Sequence, residues 1–209
     1  MKKLFLISAM ILWGQTAQSA IIDQDWQTSG DARVLYDTAT GLRWLDLSVT
    51  ADVSHDNVVA NLGLGGMFEG FRLAMQTEVL TLWSNAGITN TERTWVTDQY
   101  VAVNDLVMRL GPTMLFEDGG LFPIATHTIG MAEGGLPLHE SQRWAMELTF
   151  APDGLSTRTS TSYYIWGANM ADMHYSTYLV QSVPLPGALW FFSSGLLGLV
   201  GFVSSRKKY

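Results

Sequence analysis

Residues 187–203 run 17 positions without a charged side chain, and extending that stretch back to Val183 makes it 21. A segment so apolar cannot cover a water-soluble domain, but it is long enough to cross a bilayer as one helix. Arg206, Lys207 and Lys208 follow it. By the positive-inside rule they hold the C-terminus in the cytoplasm as a membrane stop, leaving everything before the helix outside. The other end agrees. Met1-Lys2-Lys3, an apolar run over 4–13 and a small polar stretch have the three regions of a secretory signal peptide, and Ala17 and Ser19 occupy the minus-three and minus-one positions. Cleavage is expected after Ser19, with Ala20 as the alternative. About ten apolar residues are too few to remain as an anchor. The foldable unit is therefore residues 20–182, between a signal peptide (1–19) and a membrane tail (183–209), and its length suits one domain.

That body holds seven basic residues, all Arg, against nineteen acidic ones, a formal charge of −12; every Lys lies in the terminal signals. An acidic exported body repels nucleic acid and anionic lipid surfaces, so no nucleic-acid partner is expected. Cysteine is absent, which excludes disulfides, thiolate metal sites and cysteine nucleophiles together. Stability must then come from the core. Six of the eight Trp (Trp26, Trp44, Trp83, Trp95, Trp144, Trp166) lie in the body, and packing is the first expectation for each. A sugar-binding platform would need one or two of them exposed.

Local patterns predict an α+β domain with helices early and strands late. Strands over 34–36 and 42–45 flank a turn that Asp37 opens and Gly41 closes with positive φ. Ser54 caps a short helix that sets Val58, Val59 and Leu62 on one face and stops at Gly63. The glycines of 63–67 lack the Gly-Lys-Ser/Thr ending of a phosphate loop and follow a helix, not a strand. Val79, Leu82, Trp83 and Ala86 repeat at helical spacing, and Gly87-Ile88 has the form of a Schellman stop. A strand over 94–97 and a helix over 99–110, ended by Gly111-Pro112, come next. Beyond Gly111 turn residues dominate, except where Trp144, Met146, Leu148 and Phe150 alternate as in a half-buried strand. A turn over 151–154, a return strand over 155–161 and a last strand over 175–180 complete the reading.

Chemistry is hard to find in this pattern. His55, His127, His139 and His174 show no metal-ligand spacing. His139-Glu140-Ser141 has triad residue types but no nucleophile elbow. Asp23 with Asp25, and Glu117 with Asp118, lack the oxygen spacing of a calcium loop. No catalytic residue, metal or cofactor is therefore expected. The abundance of Asp and Glu leaves open an exported hydrolase that acts on glycans or esters through carboxylates.

Pro184 and Pro186 bias their neighbours to extended backbone, the form a peptidase binds. Val183-Pro184-Leu185-Pro186, then an apolar helix, then a basic terminus, resembles the PEP-CTERM sorting signal in its Val-Pro-Leu-Pro-Ala variant, with Gly187 in place of the Ala. The resemblance implies recognition at Val183, Pro184, Leu185 and Pro186 by exosortase, a membrane peptidase of gram-negative bacteria that make exopolysaccharide. It further implies transient residence in the inner membrane, cleavage near Pro186, and release to the cell surface or biofilm matrix. A permanently anchored single-pass protein is the alternative. Within the body, Thr40-Gly41-Leu42-Arg43-Trp44, then Phe71-Arg72-Leu73-Ala74 with Glu78, then a terminal strand over 178–182, resembles the Lcl C-terminal domain group, with Phe71 for its Trp, Ala74 for its Pro and no cysteines. That resemblance implies a fold related to C-type lectins and formylglycine-generating enzymes, although the oxidase chemistry of the latter requires cysteine. Gly41, Leu42, Trp44, Arg72, Leu73 and Glu78 are expected to be structural. Glu78 favours the positive end of its helix and Arg72 is placed to pair with a nearby carboxylate. A non-catalytic surface protein with affinity for the cell's own exopolysaccharide is the function these features favour.

Overall fold

Asp37 organises the first hairpin. Its backbone carbonyl accepts from Gly41 at 2.8 Å, and its fully buried side chain accepts from the Ala39 N–H and the Thr40 hydroxyl, while Gly41 takes φ +71° to close the turn. The computed structural model describes residues 20–116, 125–134, 142–151, 156–165, 171 and 175–183. Outside the described residues lie Ala17 and Ser19, Pro184, Leu185 and Pro186, the apolar tail with Arg206, Lys207 and Lys208, the centre of the 151–154 turn, Trp166, His139, His174, and Glu117 with Asp118.

The chain forms β1 (Ile21–Gln24), β2 (Val34–Asp37), β3 (Leu42–Leu45), a 3-10 turn (Leu47–Val49) and helix α1 (His55–Ala60), which the Ser54 hydroxyl caps by accepting from the Asn57 N–H. After β4 (Arg72–Leu73), helix α2 (Gln76–Asn85) ends where Gly87 adopts φ +89° and the Ile88 N–H reaches the Trp83 carbonyl at 2.9 Å, the expected Schellman closure. Then come β5 (Trp95–Val96), α3 (Tyr100–Leu110), β6 (Met114–Phe116), β7 (Ala125–Ala132), β8 (Gln142–Phe150), β9 (Thr157–Ile165), β10 (Ser176–Thr177) and β11 (Leu179–Ser182). The domain is α+β.

Two sheets result. The first has the order β1-β2-β3-β11-β4 and is wholly antiparallel; the second runs β10-β7-β8-β9-β5, with β6 also on β7 and β10 the one parallel pairing. Period-two alternation splits the first sheet between two cores. Leu35, Trp44 and Val180 face the main core, where they meet Val79, Leu82 and Trp83 of α2, Val103, Leu106, Val107 and Leu110 of α3, and Met146 and Leu148 of the second sheet. Val34, Leu45 and Leu179 point the other way, onto Val58, Phe68 and Phe71. Full burial of such side chains is worth roughly 1.5–3 kcal/mol each, and Trp44, Trp83 and Tyr178 are the largest of them. With no disulfide available, these rings supply the cohesion.

Several expectations need correction. Strands are interleaved with helices from the start, because β1 to β4 share one sheet with the C-terminal β11, which pairs with β3 and β4. Val59 is 43 % exposed and does not share the buried face of Val58; α1 stops at Ala60, before Gly63, with Asn61 as its C-cap. The single strand expected over 175–180 is two strands in different sheets. Tyr178 is the joint: its N–H donates to the Met131 carbonyl of β7 and its carbonyl accepts from the Ala74 N–H beyond β4, each at 2.9 Å. β7, an axis of the second sheet, was not anticipated at all, since its sequence Ala-Thr-His-Thr-Ile-Gly-Met-Ala alternates weakly.

Candidate functional site

Since Trp144, Met146, Leu148 and Phe150 turn toward the main core, the other residues of β8 must face away from it. Register then assembles a row on that outer face. His127 of β7 lies opposite Thr149 of β8, which lies opposite Arg158 of β9, and Arg158 lies opposite Trp95 of β5; Glu147 lies opposite Ser160 one pair further along. His127 Nδ1 is 3.0 Å from Glu147 Oε1 and 3.0 Å from Thr149 Oγ1; the Thr149 hydroxyl donates to Glu147 Oε1 at 2.9 Å. A carboxylate only accepts, so Nδ1 carries the imidazole proton in this arrangement. Arg158 Nη2 stands 3.4 Å from Glu147 Oε1, and its guanidinium lies 5.7 Å from the centre of the Trp95 ring.

These groups are only partly wet: the side chains of His127, Glu147 and Arg158 are 13 %, 16 % and 26 % exposed. Burial alone would raise the Glu147 carboxyl, but the hydrogen bonds from His127 and Thr149 and the charge of Arg158 outweigh it and hold the group down at about 2. Glu147 thus stays ionised and paired at any ordinary pH. A general acid in glycoside cleavage needs the opposite, a carboxyl raised toward neutrality. Trp95 differs from the buried Trp44 and Trp83 in being 50 % exposed. The Arg158 Nε and the hydroxyl of Ser160, which lies opposite Glu147, are buried with no hydrogen-bond partner among the described residues. An open indole plate suits a ligand that offers C–H faces for stacking, as a sugar ring does. Among the described residues, no group of three or more His, Asp or Glu could hold a metal ion, and no helix is long and apolar enough to cross a membrane.

The residues singled out from sequence motifs gather elsewhere, in the first sheet. Gly41, Leu42 and Trp44 belong to the β2–β3 hairpin, Arg72 and Leu73 to β4, and β11 inserts between them with Val180 opposite both Trp44 and Arg72, and Leu179 opposite Leu73. Gln181 of β11 accepts from Arg43 at 3.0 Å. Its amide end lies against Gly70, whose φ of +86° accounts for the glycine at the head of the Phe-Arg-Leu piece. Arg72 forms a two-pronged bridge to Glu78, at 2.8 and 2.6 Å, and Glu78 also accepts from the Met75 N–H at the mouth of α2. That bridge is the main force lowering the Glu78 carboxyl and raising Arg72. Three motif pieces far apart in sequence are therefore one seam, and their role is to close the fold. Val183, the first residue of the Val-Pro-Leu-Pro stretch, follows β11 directly and donates its N–H to the Gly41 carbonyl at 3.1 Å.

Of the histidines among the described residues, His55 is buried at the start of α1 and accepts from Arg143 Nε at 3.3 Å, while His127 joins the outer-face cluster. Sequence reading did not single out Glu147, Thr149 or Arg158. Their outward direction follows from the alternation of β8, but the partner strand that completes the row was unrecognised. Comparison with protein-family models, with curated proteins and with solved structures finds no match.

Proposed function

We propose that this chain is an exported, non-catalytic surface or matrix protein whose body is C-type-lectin-like and holds neutral exopolysaccharide on the outer face of its second sheet. The observation that carries the binding reading is Trp95, half exposed and braced by Arg158. Neutral glycan is the better class, because a body of charge −12 repels acidic polymers and the Arg158 guanidinium beside Trp95 is already matched by Glu147. The tail supports delivery: its resemblance to an exosortase substrate implies passage through the inner membrane and release toward the matrix. The lectin-like reading of the fold draws on the seam that joins the three motif pieces in one sheet. Against a carboxylate hydrolase stands Glu147, locked in its ionised form.

The test is retention of the processed body on immobilised exopolysaccharide from its own host. Wild type is expected to bind and Trp95→Ala to lose at least tenfold in affinity, as loss of a stacking platform of about 1.5–3 kcal/mol requires, with its melting temperature within a few degrees of wild type. Equal retention of both proteins, or none by wild type, would sink the reading.

A further inference from the structure

Both junctions at which the chain is expected to be processed are fastened to the same four-residue connection between β2 and β3. Ala20, the first residue after the expected signal cleavage, donates its N–H to Thr38 Oγ1 at 3.0 Å and accepts from the Thr38 N–H at 3.1 Å. At the other end of the connection, Val183 is tied to Gly41. Between these clasps Thr38, Ala39 and Thr40 are exposed. The chain therefore enters and leaves the body at one corner, and before processing both membrane-directed segments depart from that corner.

Pro186 is only three positions beyond Val183, a reach of about 10 Å even when fully extended. A peptidase that cuts near Pro186 must bring its active site within that distance of the connection. We propose that the exposed ridge Thr38-Ala39-Thr40 is the docking surface by which the membrane peptidase holds its substrate. This rests on the sorting reading of the tail. A peptidase suits the ridge better than lipid headgroups do, because the acidic body is repelled by an anionic bilayer surface.

The experiment follows tail removal in the native host by pulse labelling and intact mass, in the full chain. One variant carries about ten Gly/Ser residues inserted between Ser182 and Val183; two others carry Ala39→Arg and Ala39→Glu, at a side chain that makes no hydrogen bond and so leaves the turn intact. Melting curves of the isolated bodies verify folding. Docking predicts that the insertion slows trimming roughly tenfold, since loosening the tether lowers the effective concentration of the cleavage site at the docked enzyme, and that both Ala39 variants slow it severalfold. Unchanged or faster trimming of the insertion variant would overturn the proposal, as would slowing by Ala39→Glu alone, which would indicate a lipid surface. A wild-type tail that is never removed would refute the sorting reading itself, a result separable from all of these.

Discussion

Gly130 shows how much a single position can decide. A Cβ there would lie 2.5 Å from two ring carbons of Tyr178 and 3.1 Å from a Leu47 methyl, and Tyr178 is fully buried against Trp44 with no room to retreat. Gly130→Ala is expected to cost more than about 2 kcal/mol in chemical denaturation, the penalty of overpacking a close-packed interior. Glu147 decides in a different way. Its folded pKa of about 2 lies below the usual 4.5, so its contribution is present above pH 4.5 and drains away as the pH falls toward 2. That contribution is on the order of 3 kcal/mol. Glu147→Gln should therefore be markedly less stable than wild type at pH 7, with the gap closing near pH 2; a gap that does not change with pH would show that the carboxylate charge is not what matters. Neither residue stands out in the sequence. Gly130 is one of 20 glycines, and Glu147 reads as surface charge until the register supplies His127 and Arg158.

At the scale of elements, α2 was anticipated closely because everything that defines it is local: the helical repeat of Val79, Leu82 and Trp83, the acidic residue in its first turn and the glycine stop. The Arg72–Glu78 bridge fixes its start relative to β4. Arg72 is 48 % exposed, so Arg72→Ala is expected to cost only about 0.5–1 kcal/mol. Glu78→Ala removes the bridge and also the acceptor for the Met75 N–H, and should cost about 1–2 kcal/mol. Equal costs in urea titrations of the two variants would mean the helix mouth gains nothing from Glu78. The division of the last strand is a different matter. Residues 175–180 are uniformly suited to a strand, and nothing local marks Tyr178 as the point of crossing. The crossing exists because the backbone polar groups of Tyr178 are claimed by Met131 on one side and Ala74 on the other, and buried backbone groups must be paired.

The whole molecule should weaken in acid in two stages. His55 is held neutral chiefly by burial and also by Arg143, against the opposing pull of Asp56, so its pKa lies below 6.5. The unfolded chain then takes up the proton first, and stability falls as the pH drops below about 6.5. The carboxylates follow below 4.5, with Glu147 and Glu78 lowered by their partners and Asp31 lowered to about 2, chiefly by the backbone N–H groups of Trp26 and Thr28. His55→Gln should remove the first stage and leave the second, as read from melting temperatures between pH 7 and pH 5. Maturation belongs to this scale too. In the native host the intact mass should correspond to a chain that begins at Ala20 and has lost its apolar tail; a full-length tail would make the protein a permanently anchored one.

The amino-acid sequence by itself determined what depends on neighbours within a few residues. The capped and glycine-stopped helices follow from spacing, and the alternation of β8 dictates which of its side chains enter the core. The absence of cysteine excludes disulfides and thiolate chemistry without any coordinates. Only the tertiary structure decided which strands lie side by side, because pairing is a contest among all available edges and is won by packing over long range. From that contest come the seam of β3, β11 and β4, the clasping of Ala20 and Val183 to one turn, and the row of His127, Glu147, Thr149 and Arg158 beside the exposed Trp95.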